Sequence, residues 1–309
     1  MKLNVGIDIG GTKINLGIVD EQGKITDSCR IPTNAKQEPE LTVQEIVKTL
    51  KKMLKKNGLT LQDITFIGAG VPGTVNTSTG LVSYCPNLSW FDIPIGDLFE
   101  RYMGRKVVVE QDSRNAALAE KLFGAGKGCD NILCVAVGTG IGGGIIIDGK
   151  IFHGGMNTAG EIGHTPIYKN GRKCVCGNSG CLEKYASGTG MLEIALERFP
   201  AKFQGKPEKC ETLFKLAYEG DKEACALIDE SVDDLAFGIA NAVNLISPEM
   251  VIISGGLCEH EDLFVNPLQE KITNHGYYSW TRQNSLKVCR AILGSDAPMI
   301  GASALDKGI

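Results

Sequence analysis

Residues 5–25 read VGIDIGGTKINLGIVDEQGKI, and residues 133–151 repeat the same pattern as LCVAVGTGIGGGIIIDGKI. Each copy has a β-branched segment, a turn rich in Gly and Thr, a second β-branched segment, and a second turn that reverses the chain. Each copy therefore predicts antiparallel strands that nucleate a sheet of their own. Because the two copies are similar, we expect two similar lobes with a cleft between them.

The Gly-rich turn of each copy is a candidate phosphate site. The candidate residues are Asp8, Gly10, Gly11, Thr12 and Lys13 in the first copy, and Gly138, Thr139 and Gly140 in the second. Backbone N–H groups in such turns bind anions, and the Thr hydroxyl adds a donor. Ordinary hairpin turns are the alternative for either copy alone.

The second turn also fits a dinucleotide-binding pattern, since residues 138–143 match G-x-G-x-x-G. A dinucleotide turn opens a helix, whereas residues 144–148 are β-branched and bounded by turns, which predicts a strand. The chain contains no Walker A sequence and neither the His-Arg-Asp nor the Asp-Phe-Gly triplet of protein kinases. These observations argue against three common nucleotide-binding motifs.

A cluster of cysteines predicts a metal loop. The spacing of His164, Cys174, Cys176 and Cys181 suits one tetrahedral zinc ion with a structural role. Eleven cysteines is an odd number, and no secretory hydrophobic segment precedes Asp8, so a disulfide framework is disfavoured. Scattered free thiols are the remaining alternative.

Composition narrows the class of protein. A chain of 309 residues with 43% hydrophobic content can bury a substantial core, and its length favours two domains. A net charge of −4 gives no electrostatic footprint for nucleic acid, which we do not expect as a partner. The apolar stretch 132–147 is too short to span a membrane. The other cysteines are typical of small buried hydrophobes in a reducing cytoplasm.

Helical and strand patterns alternate along the rest of the chain, which predicts an α/β protein. The predicted helices are 41–56, 115–123, 221–242 and 300–305, and the predicted strands are 64–71, 106–111 and 250–254. Strand 106–111 leads into Asp112, at the strand end where open α/β sheets bind ligands. An N-cap role is the alternative for Asp112, and a turn-forming role is the alternative for Asp8.

These residues could support phosphoryl transfer, which needs a phosphate clamp, a divalent ion and a base for the attacking hydroxyl. Asp8 is the candidate Mg²⁺ ligand, and Asp112 is the candidate base. Charged acceptors and a ring nitrogen that converge on one point suit the vicinal hydroxyls of a sugar. The candidate sugar ligands are Glu161, His164, Glu183 and Asn87.

With these motifs in this order, the chain resembles the ROK family of sugar kinases, repressors and uncharacterised open reading frames. The resemblance implies the two-lobed actin-like ATPase (ribonuclease H-like) fold, with ATP, Mg²⁺ and structural zinc. It makes Asp112 the general base, assigns Glu161, His164 and Glu183 to sugar hydroxyls, and places adenosine at Gly255 and Gly256. It also implies a small lobe of residues 1–112 completed by about 294–309, a large lobe of 113–293, and a homodimer.

The chain departs from the family pattern around its base. The family usually reads Asn-Asp-x-Asn, whereas this chain reads Gln111-Asp112-Ser113-Arg114. The longer Gln111 replaces an Asn that helps to bind sugar, a change that can shift preference away from glucose. The expected activity is 6-phosphorylation of a hexose, with glucose first and N-acetylmannosamine, N-acetylglucosamine, allose or fructose as alternatives.

A sugar-sensing regulator without catalysis is the expectation from another class. Because the first strand begins near Leu3, we expect no DNA-reading module ahead of it, and the presence of Asp112 favours catalysis.

Overall fold

The computed structural model describes residues 2–35, 37–275 and 286–309. Within these ranges the strands are β1 (Leu3–Ile9), β2 (Lys13–Asp20), β3 (Ile25–Pro32), β4 (Ile64–Val71), β5 (Thr74–Asn76), β6 (Leu81–Cys85), β7 (Trp90–Pro94), β8 (Val108–Gln111), β9 (Ile132–Val137), β10 (Ile141–Ile147), β11 (Lys150–Ile151), β12 (Met250–Ser254) and β13 (Lys287–Arg290). The α-helices are α1 (Pro39–Lys56), α2 (Ile95–Met103), α3 (Asp112–Phe123), α4 (Glu183–Ala186), α5 (Gly188–Arg198), α6 (Cys210–Tyr218), α7 (Lys222–Ile246), α8 (Asn266–His275) and α9 (Ala297–Ala302).

The first sheet has the strand order β3-β2-β1-β4-β8. Strands β1, β2 and β3 pair antiparallel, which confirms the hairpins predicted from residues 5–25. Strand β4 is parallel to both β1 and β8, so these three strands end at the same edge. Helix α1 buries Val43, Ile46, Val47, Leu50 and Leu54, the apolar stripe expected from its helical spacing.

The second sheet has the order β11-β10-β9-β12-β13, with β12 parallel to β9 and β13. Strands β10 and β11 are joined by Asp148 and Gly149, whose φ angles of 51° and 77° are those of a tight type I′ hairpin turn. Each copy of the repeated sequence therefore nucleates a separate sheet, as predicted.

Several elements differ from the sequence-based expectation: helices α2, α4, α5, α6 and α8 were not predicted, and α3 begins at Asp112 instead of residue 115. A three-stranded sheet, β5-β6-β7, was not predicted. The last predicted helix, 300–305, is wrong at both ends: α9 covers Ala297–Ala302, and a separate 3₁₀ turn follows at Leu305–Lys307. No helix in the described ranges is both long and apolar enough to cross a membrane.

The chain divides into two compact units. The first comprises Met1–Asp130, Gly144–Ala159 and Ile292–Ile309, and the second comprises Asn131–Gly143 and Gly160–Ala291. Helix α3, which begins at Asp112, belongs to the first unit. The lobe boundary expected after residue 112 was drawn from the family resemblance and stays a prediction.

Candidate functional site

The first Gly turn presents a buried carboxylate. Asp8 lies near the end of β1, directly opposite Asn15 on β2, and the Asn15 amide donates a hydrogen bond to Asp8 Oδ2 at 2.9 Å. Arg30 Nε donates in turn to Asn15 Oδ1 at 2.7 Å, so the amide is held in one orientation. Burial raises the pKa of the Asp8 carboxyl, and this effect outweighs the Asn15 hydrogen bond. A buried carboxylate in this setting favours a cation.

The turn that follows Asp8 is braced from one side. Gly10 N–H donates to the carbonyl of Lys13 at 2.9 Å. Thr33, just after β3, donates its hydroxyl to the Gly10 carbonyl at 2.7 Å and its N–H to the Thr12 carbonyl at 3.0 Å. Because two carbonyls of the turn are bonded to Thr33 and the Gly10 N–H is bonded within the turn, an anion would meet the N–H groups of the residues that follow Gly10. Asn87 lies beside this turn, since a Cβ on Gly11 would be 3.7 Å from Asn87 Cβ.

The candidate base lies at the same edge of the first sheet. Asp112 directly follows β8 and is the first residue of α3, whose N-cap is Gln111, so the alternative N-cap role for Asp112 is wrong. Asp112 Oδ1 accepts the Ser113 N–H at 2.6 Å. A Cβ on Gly70, in β4, would lie 3.5 Å from Asp112 Cα and 3.7 Å from the Ile7 carbonyl. The β1 and β8 ends thus approach each other across Gly70.

The segment that carries Asn87 also neighbours Asp112. Burial raises the pKa of the Cys85 thiol to about 11, and the negative charge of Asp112 contributes to the same increase. The structure therefore brings Asp8, Asn87 and Asp112 into one region of the first unit.

The second Gly turn is braced by helix α5. Gly138 N–H donates to the Gly140 carbonyl at 2.9 Å. The first N–H groups of α5, from Gly188 and Thr189, donate to the carbonyls of Gly138 (2.8 Å) and Thr139 (3.3 Å). In both units, the carbonyls of the Gly turn accept hydrogen bonds from another segment. In the first unit that segment contains Thr33, and in the second it is the N-terminus of α5.

Gly255 follows β12 at a φ of 98° and packs closely on β9. A Cβ at this position would lie 2.2 Å from the Val137 carbonyl oxygen, just before the second Gly turn. Both the left-handed backbone and the close approach require glycine. Gly256 then begins a 3₁₀ turn. The predicted adenosine turn therefore lies next to the second Gly turn in the second unit.

Glu183 connects the proposed sugar ligands to that turn. Its Oε2 accepts the Ile141 N–H at 2.8 Å, and a Cβ on Gly140 would lie 2.4 Å from the same oxygen. Glu161 precedes a 3₁₀ turn, Ile162–His164, that packs against β10 so closely that a Cβ on Gly163 would meet the Ile141 carbonyl at 2.2 Å. Glu161, His164 and Glu183 are thus carried by segments that both contact the start of β10.

The predicted metal ligands form one cluster. One ligand atom from each of His164, Cys174, Cys176 and Cys181 lies within 4.8 Å of every other. Cys174 Sγ is 3.6 Å from His164 Nδ1, and Cys176 Sγ is 3.6 Å from Cys181 Sγ, too far for a disulfide. A tetrahedron with usual Zn–S and Zn–N bond lengths has edges of about 3.5 to 3.8 Å. These residues therefore fit a zinc ion.

The charge balance of the cluster also favours a cation. Burial, together with interactions with Cys176 and Cys174, raises the pKa of the Cys181 thiol to about 12. Three neighbouring sulfurs cannot all be thiolates without a positive charge between them, which a divalent ion supplies.

Several supporting residues were missed by the sequence analysis. They are Asn15, Arg30 and Thr33 around the first turn, and Glu110, Arg114 and His153 around the base. Asn15 carried a usable signal, because the register of the predicted hairpin places it opposite Asp8. Apart from the Glu110–Arg114 ion pair, which spans four residues, the other contacts join residues that are 15 or more positions apart in the chain.

Two separate sheets that each begin with a Gly-turn hairpin, with carboxylates at parallel strand ends, define an α/β protein of the actin-like ATPase fold. The chain belongs to the ROK family, whose model matches residues 4–309.

Relatives of known activity align over almost the whole chain. A glucokinase from Thermotoga maritima is 33% identical, with 98% of this chain and 96% of the relative covered. The solved structure of a ROK glucokinase from Streptomyces griseus in complex with glucose and AMPPNP superposes with a TM-score of 0.80 at 30% identity, covering 98% of both chains. A xylose repressor from Bacillus subtilis is 30% identical, covering 98% of this chain but 76% of the repressor.

Proposed function

We propose that the chain is an ATP-dependent hexose kinase that phosphorylates the 6-hydroxyl of glucose. The observation that carries this proposal is the alignment with glucokinases over nearly the full length of both chains. The braced Gly turns and the carboxylates of the first unit support it, because phosphoryl transfer depends mainly on positioning and electrostatic stabilisation. N-acetylmannosamine, N-acetylglucosamine, allose and fructose are less favoured acceptors.

In this proposal the two Gly turns bind the nucleotide phosphates through backbone N–H groups and Thr hydroxyls. Asp8 holds Mg²⁺, directly or through water, and its buried position beside Asn15 favours that ion. Gly255 and Gly256 provide a close backbone approach for adenosine. A magnesium ion held by Asp8 would supply positive charge that neutralises the nucleotide phosphates.

Asp112 acts as the general base. It accepts the proton of the sugar 6-hydroxyl as that oxygen bonds to the γ-phosphorus, and ADP leaves with its bridging oxygen. The Ser113 N–H bond to Oδ1 fixes the carboxylate at the start of α3.

Glu161, His164 and Glu183 bind sugar hydroxyls, and structural zinc fixes the histidine. His164 Nδ1 faces Cys174 Sγ in the metal cluster. A metal on Nδ1 leaves the ring proton on Nε2, which can then donate a hydrogen bond to a sugar oxygen. Zinc in this role sets the direction of one sugar contact and takes no part in phosphoryl transfer.

A coupled ADP-release assay over glucose and the four alternative sugars tests the proposal. Asp112→Asn should lower kcat on the best sugar by about 10² to 10⁴, because a positioned base contributes that much. The matched control is Asp97→Asn, an exposed carboxylate in the first turn of α2, which should keep normal turnover.

A kcat for Asp112→Asn close to that of the unchanged protein would refute its role as base. If the unchanged protein bound a sugar but released no ADP, it would instead be a sugar-sensing regulator, a function suggested by its likeness to the xylose repressor. The homodimer expected from the resemblance and the cytoplasmic location expected from the cysteines stay predictions. Light scattering in solution, which measures molecular mass, tests whether the protein is a homodimer.

A further inference from the structure

The largest fully buried side chain near the candidate base is an arginine. Arg114 lies on the first turn of α3, with its side chain 1% exposed, and forms an ion pair with Glu110 at 3.1 Å. Its Nη2 donates to the carbonyls of Asn157 at 2.7 Å and Ala159 at 3.1 Å, and its Nε donates to Ala159 at 3.3 Å. The guanidinium thus joins one carboxylate and two backbone carbonyls, a fork that suits arginine and not lysine.

Glu110 anchors this arginine as a carboxylate. Its Oε1 accepts the Gln111 N–H at 2.7 Å, and its Oε2 accepts the Thr77 hydroxyl at 3.0 Å. His153 Nε2 lies 2.5 Å from the same Oε2. Burial alone would raise the pKa of Glu110, but these hydrogen bonds and the charges of His153 and Arg114 hold it below its usual value.

Glu110 and Arg114 hold the two ends of the loop formed by residues 153–159. The His153 ring contacts Glu110 at one end, and Arg114 binds the carbonyls of Asn157 and Ala159 at the other. The His153 carbonyl also accepts the Ala159 N–H at 3.1 Å, which closes the loop. Asn157 has a φ of 56°, a conformation that is uncommon outside glycine. The Arg114 bond to the Asn157 carbonyl stabilises it.

This loop leads directly into a proposed sugar ligand. Only Gly160 separates Ala159 from Glu161, so the backbone that Arg114 fixes is the backbone from which Glu161 extends. Arg114 is also two residues after Asp112, on the same turn of α3. One buried side chain on the first turn of α3 therefore fixes the backbone up to Ala159, two residues before Glu161 in the chain.

We propose that Arg114 is a positioning residue for the sugar, which it serves by fixing the backbone that presents Glu161. This proposal rests on the proposed sugar-kinase function. The arginine stands where the family usually has an asparagine, whose short side chain could not span the same partners. Arg114 thus fixes, through its own guanidinium, the backbone that leads into Glu161.

The test compares Arg114→Lys with Arg105→Lys. Lysine at position 114 keeps a charge for Glu110 but lacks the planar fork that reaches two carbonyls. Arg105 is a matched control, because it also donates to backbone carbonyls in the first unit, those of Leu61, Ile64 and Thr65. Both variants should lose some thermal stability. Only Arg114→Lys should raise the KM for sugar, by about tenfold, with the KM for ATP within about twofold.

Hydrogen exchange in the absence of ligands gives a second readout. Amides of residues 157–161 should exchange faster in Arg114→Lys and at the original rate in Arg105→Lys. An unchanged sugar KM, or equal increases in both KM values, would overturn the proposal while leaving the kinase function intact.

If the unchanged protein phosphorylates no hexose, the proposed function fails. Hydrogen exchange over residues 157–161 then decides whether Arg114 fixes this backbone. An unchanged exchange rate in Arg114→Lys would overturn the proposed role of Arg114 as well.

Discussion

Replacing Cys176 with serine tests the metal cluster most directly. Cys176 is the exposed member of the four, so the substitution removes little packing. Its Sγ lies 3.6 Å from Cys181 Sγ, at the distance of two ligands on one zinc ion. Any large effect of Cys176→Ser should therefore act through the metal.

The expected magnitude follows from the number of ligands. Structural zinc sites in small modules have apparent binding free energies of about 10 to 16 kcal/mol. Shared equally among four ligands, this gives about 2.5 to 4 kcal/mol per ligand, or roughly 70- to 900-fold in zinc affinity. Loss of zinc should release the His164 ring and weaken glucose binding in the same variant.

Competition with a chromophoric chelator measures zinc affinity, and titration calorimetry measures glucose binding. The control is Cys225→Ser, a half-buried cysteine on α7 that lies outside the cluster and donates to the Ala217 carbonyl. It should keep both affinities. Two results would refute the metal assignment. One is full zinc affinity in Cys176→Ser, and the other is an absence of zinc from the wild-type protein after purification without chelators.

Substitutions at three further residues probe the charged groups of the site. Asp8→Asn should abolish most kinase activity, yet it should raise the melting temperature at pH 7 in the absence of divalent ions. Because burial raises the pKa of Asp8 in the folded protein, calorimetry should show that this gain in stability vanishes below pH 3.8. Glu110→Gln should lower the free energy of unfolding by about 3 to 5 kcal/mol, because it leaves Arg114 buried without its carboxylate. Since the pKa of Glu110 is lowered in the folded protein, denaturant titrations should show that this loss of stability shrinks as the pH falls below 4.5. Glu183→Gln should weaken sugar binding by about 1 kcal/mol, roughly fivefold in KM, whereas Glu183→Ala should also raise the KM for ATP by removing the acceptor of the Ile141 N–H.

Local patterns predicted much of the fold. The period of apolar residues in α1, the β-branched runs and the Gly turns each depend on neighbours in sequence, and the structure confirms them. The metal cluster was predictable for the same reason, because its cysteines lie within a few residues of one another. Even the Asp8–Asn15 contact follows from hairpin register, which makes these residues cross-strand neighbours.

Contacts between distant residues could not be predicted in the same way. Arg114 reaches carbonyls 43 and 45 residues further along the chain, and a backbone carbonyl leaves no sign in the sequence. The sequence did show an arginine where the family usually has asparagine, but gave no partner for it. The sheet β5-β6-β7 was missed because its strands are only three to five residues long.

The two Gly turns show why similar sequences can depend on different supports. In the first, Thr33 bonds the carbonyls of Gly10 and Thr12; in the second, the N-terminus of α5 bonds those of Gly138 and Thr139. Each brace comes from outside the repeated hairpin, yet each bonds two carbonyls of its turn and so fixes the orientation of those peptide groups. Oxygens of a bound phosphate need donors that are already oriented, because reorganising a flexible turn would offset the binding energy. Phosphate binding thus requires backbone N–H groups in a fixed orientation. The fold can fix the turn either with a residue such as Thr33 or with the N-terminus of a helix.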